Sequence, residues 1–124
     1  MPSKVTVYNR TRPTQSPARV GYCASFLCKL RGLMFRSHLD PQEGLLLVEK
    51  HESRISTSIH MFFVPFDLAV FWISSDFTVV DKTIARSWHP FYFPISAATF
   101  TLELHPERFS DYEIGDRIEI LDAD

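Results

Sequence analysis

Between Asp67 and the Ser74-Ser75-Asp76 turn the chain reads Leu-Ala-Val-Phe-Trp-Ile, six apolar residues in a row. A strand with apolar side chains on both faces must be covered on both, so residues 67–74 predict a central strand packed between two layers. The constraint is severe for a chain of 124 residues, which has room for one core. Aromatic residues make up 14% of the chain, 11 Phe among them, and supply the bulk to fill that core.

The remaining periodicity supplies partners for that strand. Val5 and Val7 alternate with Lys4 and Thr6, the period of a half-buried strand, and residues 9–17, holding Pro13 and Pro17, read as an exposed loop. Further strands are predicted at 45–49, 55–62, 77–84, 98–104 and 117–121. Within 98–104, Ala98, Phe100, Leu102 and Leu104 alternate with Thr99, Thr101 and Glu103. At 24–34 the period changes: Phe26, Leu27, Leu30, Leu33 and Met34 form a helical stripe, with Gly32 inside or ending it. A second short helix is predicted at 106–113, with Pro106 in its first turn and Gly115 as its cap. The expected fold class is mainly β (α+β), one domain over 1–124, a small antiparallel barrel-like sheet with one or two short helices.

The formal net charge is −2, and neither sign forms a run, so neither nucleic acid nor a membrane surface is an expected partner. The first residues lack the apolar stretch of a signal peptide, and the most apolar window, 61–73, contains Asp67 and is too short to span a bilayer. A soluble cytoplasmic protein is the expectation. Cys23 and Cys28 match no metal or redox spacing and read as two buried thiols not bonded to each other. The histidines at 38, 51, 60, 89 and 105 show no ligand spacing, so no metal and no cofactor is expected. His60, Asp67, His89 or Glu103 could share a metal only through the fold.

Three stretches together carry a family resemblance: Arg31-Gly32-Leu33-Met34-Phe35-Arg36 with Gly44-Leu45-Leu46, then His60-Met61-Phe62-Phe63-Val64-Pro65-Phe66-Asp67, then Thr101-Leu102-Glu103 followed by Gly115-Asp116. They resemble domain-of-unknown-function family 192, over about residues 22–121. The resemblance implies a compact β-rich prokaryotic domain, secreted or membrane-tethered in many other members, with no agreed substrate or reaction. Many members carry Trp-Met-Lys-Asn-Thr where this chain has residues 60–64, so no role of that Lys, Asn or Thr carries over.

Five residues are candidates for a ligand site: Arg31, Arg36, His60, Asp67 and Trp88. The arginines bracket Gly32 and could fork onto a carboxylate or phosphate, although pairing with Asp40, Glu43 or Asp67 is the plainer reading and takes precedence. Leu33, Met34 and Phe35 read as core. His60 and Asp67 flank a tight connection and could form an oriented imidazole–carboxylate pair, but no Ser or Cys has a nucleophile motif around it. Residues 88–94, Trp-His-Pro-Phe-Tyr-Phe-Pro, either line a ligand cleft with rings or fold back as a lid over the barrel end.

The leading functional expectation is a non-enzymatic domain binding a small ligand or peptide, as monomer or homodimer. The alternatives are a hydrolase or isomerase using His60 and Asp67, and a structural or oligomerising protein with an aromatic-loop interface.

Overall fold

The computed structural model describes residues 3–122. Seven strands, β1 (Lys4–Asn9), β2 (Ala18–Cys23), β3 (Gly44–Ser53), β4 (Leu68–Ile73), β5 (Val79–Ala85), β6 (Ala98–Leu104) and β7 (Ile118–Asp122), form one sheet in the order β5-β4-β6-β3-β2-β1-β7. Every neighbouring pair is antiparallel except β2 with β3. The sheet curls into a half-barrel. Its edge strands approach at one end, where Thr78 and Arg117 form a bridge and the Ile118 N–H donates to the Phe77 carbonyl at 2.8 Å. A helix α1 (Phe26–Arg31) and a 3-10 helix (Pro106–Asp111), with Pro106 in its first turn, complete the elements.

Every residue of β4 is buried, and alternation divides them between two cores. Ala69, Phe71 and Ile73 join Val5, Val20, Leu46, Val79, Leu102 and Ile118, so residues of all seven strands converge inside the half-barrel. Leu68, Val70 and Trp72 face the other way, against Leu33, Leu39, Ile59, Met61 and Val64 from the connecting segments. The second layer also covers the polar face of β6, where Thr99, Thr101 and Glu103 are buried. Gly44 permits the close approach of β3 and β6: a Cβ there would stand 2.3 Å from the Glu103 carbonyl oxygen.

Four expectations need correction. Residues 55–62 form no strand beyond an isolated Ile59–Tyr92 bridge. Their hydroxyls and backbone are committed locally: Ser58 donates to the Ile55 carbonyl at 2.6 Å, Thr57 to the Ser53 carbonyl, and the Ser56 N–H to Ser53 Oγ at 2.9 Å. Strand β2 is an element beyond those predicted: Ala18, Val20 and Tyr22 alternate with Arg19 and Gly21, but the run is six residues long and holds a glycine, a weak strand former. The helix at 24–34 shortens to six residues, none buried, with Phe26 75% and Leu27 74% exposed, because Gly32 adopts φ 50° and ends it. Cys23 and Cys28 form a disulfide, Cα–Cα 5.6 Å. A separation of five points two side chains of one regular element to different faces, but these two cysteines do not share an element. In the fold Cys23 closes β2 and Cys28 lies in the first turn of α1, and the bend between them brings the sulfurs together.

Candidate functional site

The candidate site lies on the second layer, where α1, residues 57–67 and residues 86–95 meet over the buried face of β6. Ser25 caps α1, its side chain accepting the Cys28 N–H at 3.2 Å. Having no buried residue, the helix is held by its disulfide, by Lys29, which reaches the Val48 carbonyl at 3.2 Å and Glu49 at 2.9 Å, and by the Leu30 carbonyl. That carbonyl lies 3.2 Å from His60 Nε2. Because His60 Nδ1 accepts the Phe62 N–H at 3.2 Å, the ring proton sits on Nε2 and His60 donates to α1.

Beneath α1 is a cavity of about 40 Å³, walled by Leu33, Leu47, Met61, Val64 and Leu68 and floored by Glu103. Glu103 is 4% exposed, and its Oε1 has no hydrogen-bond partner among the described residues. Removal from water alone pushes its carboxyl up to about 7. Gly32 passes over it, the position of its absent Cβ being 3.9 Å from Glu103 Oε1. An open groove of about 430 Å³ adjoins the cavity, sharing Lys29, Leu30, Ser58 and His60 with it and adding Phe26 and Ile55.

Around this site the rings stand in solvent. Phe35 stacks on Phe63 with centroids 5.1 Å apart, and Phe63 meets Trp88 edge-on at 4.9 Å. All three adopt left-handed backbone, φ 65°, 60° and 65°. Their conformation is pinned by the Phe35 N–H on the Phe63 carbonyl at 2.8 Å and the Trp88 N–H on the Met61 carbonyl at 2.9 Å. Phe62, Phe91 and Phe93 extend the surface, and all six rings are exposed.

The family model of DUF192, "Uncharacterized ACR", matches residues 7–120. The chain belongs to the DUF192 family. It is 34% identical over 114 residues to a UPF0127 protein of Thermococcus gammatolerans, covering 90% of this chain and 72% of that protein. Two crystal structures share the DUF192 fold seen here. One, from Sinorhizobium meliloti and provisionally described as a transcription regulator, has TM-score 0.81 and 19% identity and covers 94% of this chain and 91% of that one. The other, a protein of unknown function from Novosphingobium aromaticivorans, has TM-score 0.75 and 17% identity, covering 94% and 83%.

Within this DUF192 domain the five sequence candidates separate. Arg31 and His60 line the same cavity, and Arg31 has no ion-pair partner among the described residues. Arg36 pairs with Glu43 at 3.1 Å, one of the three carboxylates named for it, and Glu43 also accepts the Asp40 N–H at 3.0 Å. The Asp40 N–H and Arg36 hold the Glu43 carboxyl below its ordinary range. Asp67 meets neither arginine of the Arg31–Arg36 block and does not pair with His60. The Ser87 N–H and Arg86, both at 2.9 Å, take its oxygens and hold its carboxyl low. Trp88 belongs to the exposed rings with Phe91 and Phe93, whereas Tyr92 packs against the second core and Pro94 is buried, so the stretch has both an open and a covered side. Phe35, read as core, is 69% exposed.

Sequence reasoning placed Glu103, the centre of the site, only in a fold-dependent metal set and not among the ligand-site candidates. Glu103 alternates with Leu102 and Leu104 and so resembles any solvent-facing strand residue. The signal that distinguishes it is that the residues sharing its face are Thr99 and Thr101, whereas a wetted strand face is richer in charge.

Proposed function

We propose that this domain is a non-enzymatic binding module that receives a small ligand on the face formed by α1, residues 57–63 and residues 86–95. The observation that carries the reading is the trio Phe35, Phe63 and Trp88, bulky residues at left-handed φ whose rings are left in water. Each such backbone costs on the order of 1–3 kcal/mol, and strain of this kind collects at binding and switch sites. Contiguous exposed rings support the same reading. Arg31, His60 and Trp88 contribute to the face, while Arg36 and Asp67 act as clasps for the loops that shape it. The non-enzymatic part of the reading is supported by His60, whose two ring nitrogens are both engaged with backbone.

The test is amide correlation spectroscopy with single-ring aromatic and short alkyl fragments at millimolar concentration. Perturbed amides should cluster at residues 26–35, 55–63 and 86–95. Perturbations confined to β1 and β7, or none on this face, would overturn the proposal. Turnover of an ester or amide library that disappears in His60→Ala with the fold intact would instead establish the enzymatic alternative.

No helix among the described residues is long and apolar enough to cross a membrane. A cytoplasmic setting remains part of the proposal, and it requires that the Cys23–Cys28 link survive a reducing milieu or be dispensable there.

A further inference from the structure

The cavity under α1 holds one group whose chemistry is incomplete. Glu103 Oε1 is enclosed and unpartnered. The nearby Leu30 carbonyl is a second acceptor, shared with His60 Nε2–H. Lys29 faces the cavity but its ammonium is already matched by Glu49 at 2.9 Å, and Arg31 stands exposed at the rim without pairing to Glu103. With Glu103 ionised, the unfilled place is an acceptor, and a ligand that completes it must donate. Leu33, Leu47, Met61, Val64 and Leu68 give the cavity an apolar wall beside the polar Lys29, Arg31, Ser58 and His60, so a donor can reach Glu103 on an apolar stem, and about 40 Å³ admits the tip of a ligand and not its body. A body of greater size has the adjoining groove beside Phe26, Leu30 and Ile55.

Resting on the reading of this face as a binding face, we infer that the cavity is a site for a primary ammonium group on an unbranched apolar stem, with Glu103 as its counter-ion. A cation is favoured over a hydroxyl because an enclosed carboxylate loses its hydration, and an ion pair with hydrogen bonds replaces what a neutral donor replaces only in part. An ammonium also offers three donors where a hydroxyl offers one.

The probe is n-butylammonium, titrated into the protein while side-chain methyl signals of Met61, Leu33 and Leu47 are followed, with n-butanol as the neutral counterpart. Butylammonium should shift these signals at pH 8 and bind at least tenfold more tightly than butanol. Binding should weaken about tenfold at pH 6 in the wild-type protein, because Glu103, with its carboxyl near 7, takes up a proton in that interval; Lys29, Arg31 and His60 also face the cavity, and comparison with Glu103→Gln separates their part from that of Glu103. Glu103→Gln should lose the preference and flatten the pH dependence, and the wild-type pH series stands even if that variant folds poorly. Equal binding of butanol, or butylammonium binding retained in a folded Glu103→Gln, would overturn the ammonium assignment. Fragments that perturb the ring-bearing loops while neither probe moves the cavity methyls would overturn this site and leave the proposed binding face standing.

Discussion

Glu103 gives the fold an unusual pH response. Its carboxyl is raised from 4.5 to about 7 in the folded protein, so the folded state holds the proton more tightly than the unfolded chain does. Its contribution is fully present below about pH 4.5 and is lost as the pH rises to about 7, a decline of about 3 kcal/mol at 1.36 kcal/mol per pH unit. Glu43, Asp67 and Asp116 run the other way, with lowered carboxyls whose contribution is lost in acid. Urea denaturation should therefore find greatest stability near pH 5, and Glu103→Gln should abolish most of the decline between pH 5 and pH 8. At this scale the sequence was least informative. Periodicity places Glu103 on a strand and on a particular face, but whether that face is wet depends on which distant loops lie over it.

At the scale of elements, β4 and α1 mark the two extremes of legibility. The apolar run at 68–73 demanded cover on both faces, and the fold supplies two cores for it. Phe71→Ala or Trp72→Ala should each cost about 3–5 kcal/mol, measured by thermal or chemical denaturation. The tryptophan additionally leaves the Thr57 carbonyl, now bonded to Nε1 at 2.7 Å, without that donor. α1 shows the reverse. Its stripe has helical spacing, yet Phe26, Leu27 and Leu30 face outward and only Leu33 and Met34, beyond the helix, reach the second core, because attachment of the helix comes from a covalent link and a few polar contacts that no hydrophobic period records. Opening the five-residue link in Cys28→Ser should cost about 2 kcal/mol by loop entropy. Hydrogen exchange should then accelerate in residues 25–32 while β4 and β6 stay protected; uniform acceleration across the sheet would show that the link supports the whole fold.

At the scale of the whole molecule, the half-barrel is closed at one end by a buried carboxylate. Asp116 receives Asn9 Nδ2 at 2.7 Å, Arg12 Nε at 2.8 Å and the Glu113 N–H at 2.9 Å, joining the loop after β1 to the turn before β7. Burial raises its carboxyl, but these donors outweigh it and leave it lowered. Asp116→Ala removes the shared acceptor of these three donors, although Asn9 keeps the Asp111 carbonyl and Arg12 can turn to water, and should cost about 2–3 kcal/mol in urea denaturation. The strand order was beyond the sequence reading, since alternation identifies faces but not neighbours, and the isolated parallel pair has no local signature. That pair has a bearing on diversification. Two parallel neighbours cannot be joined by a tight turn, so the chain must make a detour from Cys23 to Gly44, and the detour carries α1, Arg31, Gly32 and Phe35. None of its residues enters the ladder, and the segment is anchored to the frame at few points, the Cys28 link and the buried Leu33 and Leu39. Related chains can acquire new recognition by changing its exposed positions, such as Phe26, Leu27 and Leu30, much as variable loops do on a conserved sandwich, while the anchors and the register of Gly21 with Leu45 and Cys23 with Leu47 are retained.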